Sequence, residues 1–212
     1  MSHEITIREE ICQTGRSLYQ RGFTVGSSGN ISARLDDGWL ITPTDICLGA
    51  LEPDMIAKVN ADGEWVNGGK PSKTLTLHRT IYANNDAVRG IVHTHSTHLV
   101  AMTLGEVWSQ QAILPPITPY QVMKVGKIPL INYCRPGSPE VAVQAGQLAA
   151  TVKGIMLERL GPVIWGPSVT KAAEILEELE ETAKLWLMSH PKPDALNAAA
   201  MQELFDTFDC RW

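Results

Sequence analysis

The sequence predicts an α/β fold: a mixed, largely antiparallel central sheet covered by helices, in one domain over residues 1–212. Three observations carry this reading. Two hairpin signals lie in the first third of the chain, and strand-like and helix-like runs alternate after it. The length, with 44% hydrophobic and 19% charged side chains, suits a soluble core of one domain.

Residues 5–21 read as a helix, because Ile7, Ile11, Leu18 and Tyr19 fall roughly on one face and Gly22 can stop it. Gly26-Ser27-Ser28-Gly29-Asn30 is a small polar loop. Ile31 to Leu35 and Trp39 to Thr42 flank the turn Asp36-Asp37-Gly38, and Ile56 to Val59 and Glu64 to Val66 flank Asn60-Ala61-Asp62-Gly63. Helical spacing returns at residue 73, with Leu75, His78, Ile81 and Tyr82 on one face. A strand follows over Val88 to His95, and a helix from Ser96 through Leu104. Ile128 to Tyr133 reads as a strand, and Ser138 to Val152 as a helix with Pro139 just inside its start. Two short apolar runs occupy 155–165, broken by Glu158-Arg159. Ser168 caps a helix running to Met188, ended by Pro191 and Pro193, and a last helix covers 195–206.

Composition excludes several roles. A formal net charge of −5 argues against nucleic acid or an anionic membrane held by bulk charge. No apolar run approaches the roughly 20 residues that a membrane helix needs, and the charged N-terminus does not read as a secretory signal. The four cysteines are far apart in sequence, so a reducing cytoplasm is the expected location.

Four of the six histidines fall within residues 78–98. If His93 and His95 share a strand, they point to one face with Cα atoms about 6–7 Å apart, a reach that suits one metal ion. Two surface or core histidines satisfied by hydrogen bonds give the same pattern, and two ligands alone do not make a site. His78 and His98 are expected to serve structure or to orient other groups. The glycine-serine loop presents backbone N–H groups suited to an anion, but most such loops are only loops. Lys70-Pro71-Ser72-Lys73, opening a helix, places a hydroxyl and an ammonium where phosphate or carboxylate is favoured.

Together these segments resemble the class II aldolase/adducin family. The resemblance rests on Gly26-Ser27-Ser28-Gly29-Asn30-Ile31-Ser32, Ile41-Thr42-Pro43-Thr44, Lys70-Pro71-Ser72-Lys73 and Val92-His93-Thr94-His95-Ser96-Thr97-His98. Thr118-Pro119-Tyr120, Tyr133-Cys134-Arg135-Pro136-Gly137 and Glu177-Glu178-Leu179-Glu180-Glu181-Thr182-Ala183-Lys184 extend it, and the first and last of these look most like the branch that decarboxylates 3-oxo-tetronate 4-phosphates. It implies a three-layer fold, a divalent metal, most often zinc, on three histidines, and a nearby glutamate that assists as ligand and acid/base. By position it implies His93 and His95 as metal ligands, Ser27, Asn30, Thr44, Ser72 and Lys73 around the substrate phosphate, and Tyr120 as a catalytic group. It also implies a homotetramer with sites at subunit boundaries and a small sugar-acid or sugar-phosphate substrate.

Three positions depart from the family pattern. Thr74 stands where the family glutamate follows Pro-Ser-x, and Leu160 stands at the third histidine, before Gly161. Asp45 replaces the glycine of Thr-Pro-Thr-Gly. Leucine has no lone pair to donate, a threonine hydroxyl is no base near neutral pH, and an aspartate repels phosphate. The expectation is therefore a metal-dependent carbon–carbon lyase. The alternative is a degenerate or substrate-shifted homologue that serves as a binding or assembly protein. Glu158 or His98 offers a replacement ligand, and Asp209 or Arg211 a group reaching across to a neighbour.

Overall fold

The computed structural model describes residues 3–212. Among the described residues, eight strands form one sheet in the order β4-β3-β2-β1-β5-β8-β7-β6. They are β1 (Asn30–Leu35), β2 (Gly38–Ile41), β3 (Ala57–Asn60), β4 (Trp65–Asn67), β5 (Gly90–His93), β6 (Leu130–Ile131), β7 (Gly154–Leu157) and β8 (Gly161–Gly166). Every neighbouring pair is antiparallel except β6 with β7, as the mixed-sheet expectation required.

Alternation along the central strands sorts side chains to two faces. Val92, Met156 and Ile164 join Ile31 and Ala33 against α1 (His3–Gln20), α3 (Thr97–Met102) and α5 (Val169–Met188). Ile91, Ile155, Val163 and Trp165 point the other way, against α2 (Leu75–Asn84) and α4 (Pro139–Leu148). The result is helix, sheet, helix. Trp165 fills the second face, and its indole N–H reaches the carbonyls of Ala149 and Val152. α5 begins where Ser168 accepts from the Lys171 amide at 3.0 Å.

Several boundaries differ from the sequence reading, each for a tertiary reason. β5 stops at His93 rather than His95: the partner strand offers Pro162 next, which has no N–H to continue the ladder. The 128–133 strand shrinks to two residues, paired on one side to β7. The helix expected through Val152 ends at Leu148, and the Ala149 carbonyl beyond it takes the Asn85 amide as well as Trp165. The last helix, α6 (Ala198–Thr207), starts late because Asn197 caps it by accepting from the Ala200 amide. The two runs in 155–165 are the hairpin of β7 and β8.

Candidate active site

A cavity of about 580 Å³ lies on the α2/α4 side of the sheet, where β5 ends. His93, the last residue of β5, shares its face with Ile91 and lines this cavity. Its Nδ1 lies 2.8 Å from the Pro162 carbonyl oxygen. A carbonyl only accepts, so Nδ1 carries the proton and Nε2 keeps its lone pair. His95 is two residues beyond, outside the strand, so strand alternation does not pair the two. Their rings nevertheless meet at 5.1 Å between centroids, at 62°. Burial, then the neighbouring His95, pushes the His93 imidazole down from 6.5 to about 4, and burial lowers His95 as well. Both are neutral at pH 7, the form that donates to a metal.

Behind them is a buried polar chain. Ser32 Oγ lies 2.7 Å from His78 Nδ1 and 2.8 Å from the Tyr82 hydroxyl. If Tyr82 donates to Ser32, and Ser32 to Nδ1, every hydroxyl proton has an acceptor and His78 carries its proton on Nε2. Burial, then His93, pushes His78 down to about 3. Among the described residues, His78 Nε2 and Asn30 Oδ1 are buried without a hydrogen-bond partner, and both residues line the cavity. Asn30 sits opposite His93 in the β1–β5 register.

The loops expected to meet phosphate come together at the same cavity. Ser27, Asn30, Thr44, Asp45, Ser72, Lys73 and Thr74 all line it. Glycine is needed at 29, where φ is +85° and a Cβ would lie 2.7 Å from the His93 carbonyl oxygen. The 43–45 and 70–74 loops are fastened by Thr44 N–H to Lys70 O and Ser72 N–H to Thr42 O. Thr74 Oγ1 contacts Ser72 Oγ at 3.0 Å. Asp45 adopts φ +57° there, a left-handed conformation uncommon for a residue with a Cβ.

The departures fall in the same place. Leu160 lines the cavity and packs with the α2/α4 core. Glu158 lines it too, but its Oε2 accepts from the Tyr133 amide at 2.7 Å. His98 is drawn off to Glu180, 2.8 Å from Nδ1, so its expected structural role holds. Tyr120 is not brought to the site: it is 58% exposed and outside the cavity lining. Arg135 is a cavity cation to which the sequence reading gave no role, although the Tyr133-Cys134-Arg135-Pro136-Gly137 stretch belonged to the resemblance.

A divalent metal suits the imidazole pair in donor type and protonation. The donor count stops at two: among the described residues no three His, Cys, Asp or Glu side chains gather where they could hold one ion.

The chain belongs to the class II aldolase family: the family model described as "Class II Aldolase and Adducin N-terminal domain" matches residues 9–187. A 3-oxo-tetronate 4-phosphate decarboxylase from Cupriavidus necator is 62% identical over 217 residues, covering all of both chains. A protein of the same name from Escherichia coli K12 is 43% identical over 191 residues, 90% of each chain. The crystal structure of YgbL from Escherichia coli superposes with a TM-score of 0.91 at 40% identity, over 96% of this chain and 99% of that one.

Proposed function

We propose that this chain is a carbon–carbon lyase that decarboxylates 3-oxo-tetronate 4-phosphate. The observation that carries the reading is the cavity, in which the His93–His95 pair and the cluster Ser27, Asn30, Thr44, Ser72 and Lys73 line one space. Likeness over the whole length to decarboxylases of that name supports the substrate.

Lys73, the Ser72 hydroxyl and the N-terminus of the ten-residue α2 would bind the phosphate, against partial opposition from Asp45. That anchor would lay the 3-oxo acid toward the imidazoles. His93 and His95 would hold a divalent cation, zinc by donor type, which when bound supplies the charge that draws electrons toward the 3-oxo oxygen. Loss of CO₂ breaks the C1–C2 bond and leaves its electron pair on C2, conjugated with that oxygen. C2 then takes one proton, giving dihydroxyacetone phosphate. This reaction begins without proton removal from carbon or hydroxyl, so Thr74 in place of a carboxylate is compatible with it.

We further place the protein in the cytoplasm as a homotetramer, with Tyr120 serving a neighbouring chain's site. Tyr120 is exposed, and no residue of α6 is buried within one chain. The test of function is dihydroxyacetone phosphate formation from 3-oxo-tetronate 4-phosphate, matched to released CO₂. Stoichiometric product supports the lyase. A folded protein with no product sinks it and favours the second reading, a binding protein without turnover, which rests on Thr74 and Leu160 facing the cavity.

A further inference from the structure

We infer that this chain keeps no resident metal ion, and that a divalent cation enters its site only jointly with a chelating hydroxy-oxo acid. The inference rests on the lyase reading for the ligand's identity and on this chain's own residues for the rest.

Catalytic zinc sites hold the ion with three protein ligands and leave one position open. Here two imidazoles are available, and the place beside them is apolar. Gly161 lies flat on the His93–His95 segment: a Cβ on it would fall 2.0 Å from the Thr94 carbonyl oxygen and 3.2 Å from the His95 Cα. Leu160, the residue just before it, lines the same cavity as His95, and its side chain joins the apolar wall. Two cavity atoms stay unpartnered, Asn30 Oδ1 and His78 Nε2, but the first is a neutral amide oxygen, and among the described residues no third His, Cys, Asp or Glu gathers with the pair. Glu158 serves the Tyr133 amide, and His78 Nδ1 faces Ser32. Two neutral imidazoles also bring no negative charge to a divalent cation as ligands; the cavity's carboxylates are Asp45, on the phosphate side, and Glu158, which serves the Tyr133 amide.

A 2-hydroxy-3-oxo acid answers both deficits. Its adjacent oxygens close a chelate ring, filling the positions that protein leaves open, and its carboxylate offsets the charge. Cation and ligand binding are then mutually dependent, each strengthening the other by the same factor. The coupling exists because Leu160 withholds a donor; a third imidazole would let the ion bind alone.

The test uses Co²⁺ as the probe and erythronate 4-phosphate, the substrate with its 3-oxo group reduced, which cannot lose CO₂ by this route. Protein stripped with EDTA is titrated with Co²⁺, with and without the analogue, following visible absorption and equilibrium dialysis. Wild type is compared with Leu160→His, and with His95→Ala to subtract chelation in solution; circular dichroism checks each fold. Without analogue, wild type is expected to bind Co²⁺ at least ~100-fold more weakly than Leu160→His, the upper end of what even an outer ligand partner is worth. The analogue is expected to strengthen Co²⁺ binding to wild type at least ~10-fold and to leave His95→Ala unchanged. Equal affinity of wild type and Leu160→His without analogue overturns the inference, as does an analogue that gives no increase. CO₂ release is read on the same preparations. Turnover without coupled binding keeps the lyase and removes this inference; coupled binding without turnover does the reverse.

Discussion

Lowering the pH from 7 to 5 should destabilise the metal-free protein by about 4 kcal/mol. His78 is pushed down from 6.5 to about 3, and His93 from 6.5 to about 4, by burial first of all. At pH 5 both stay neutral in the folded chain, while the unfolded chain protonates them near 6.5. The unfolded state binds more protons, so stability rises with pH and is lost as pH falls from about 6.5 toward 4. At ~1.4 kcal/mol per pH unit, each histidine contributes about 2 kcal/mol between pH 7 and 5. His95 shifts in the same direction. Glu4 and Asp37, held below the usual carboxylate range, lose their contribution at lower pH, outside this window. Urea unfolding in EDTA should show a midpoint lower by roughly 1.3 M at pH 5, for a slope of ~3 kcal/mol/M. In His78→Asn the pH-dependent part should fall by about half. A wild-type midpoint that is the same at pH 5 and 7 would refute the reasoning, because it would mean that neither imidazole is desolvated.

Two substitutions test the supports of the site. Ser32→Ala removes the hydroxyl between His78 and Tyr82 and strands two buried polar groups. Chemical denaturation should show a loss of about 2–4 kcal/mol, and a loss below ~0.5 would mean the chain is not closed. Glu180→Gln weakens the carboxylate that accepts from the amides of His98 and Leu99 and pairs with the His98 ring. Its expected cost is about 1–2 kcal/mol by the same measurement, with salt reducing the difference.

The layers were legible because each central strand is sandwiched, so alternate residues sort to two helical faces. Ile31, Ser32 and Ala33 already show that alternation, and Ser32 is buried on the α2 side because His78 and Tyr82 receive it. The end of β5 was not legible from its own residues. Val88 to His95 reads as one strand, and the break comes from Pro162, some seventy positions away. The anion loops were readable one by one, as glycine-rich or helix-opening segments. Their meeting at His93 depends on the Thr42–Ser72 and Lys70–Thr44 cross-links, which no local pattern announces. Tyr120 was assigned by resemblance alone, and nothing in its own segment announces that it stands exposed and outside the cavity lining.

Thr74 precedes α2, and Leu160 stands in the turn between β7 and β8. Neither belongs to a ladder or to a helical interior. Exchanging either side chain leaves the scaffold's backbone pairing untouched, so the chemical character of the cavity can change through two loop positions without a change of fold. In a molecule arranged this way, overall likeness to a relative measures inherited architecture, while chemical competence is decided by a handful of atoms that such likeness scarcely weighs.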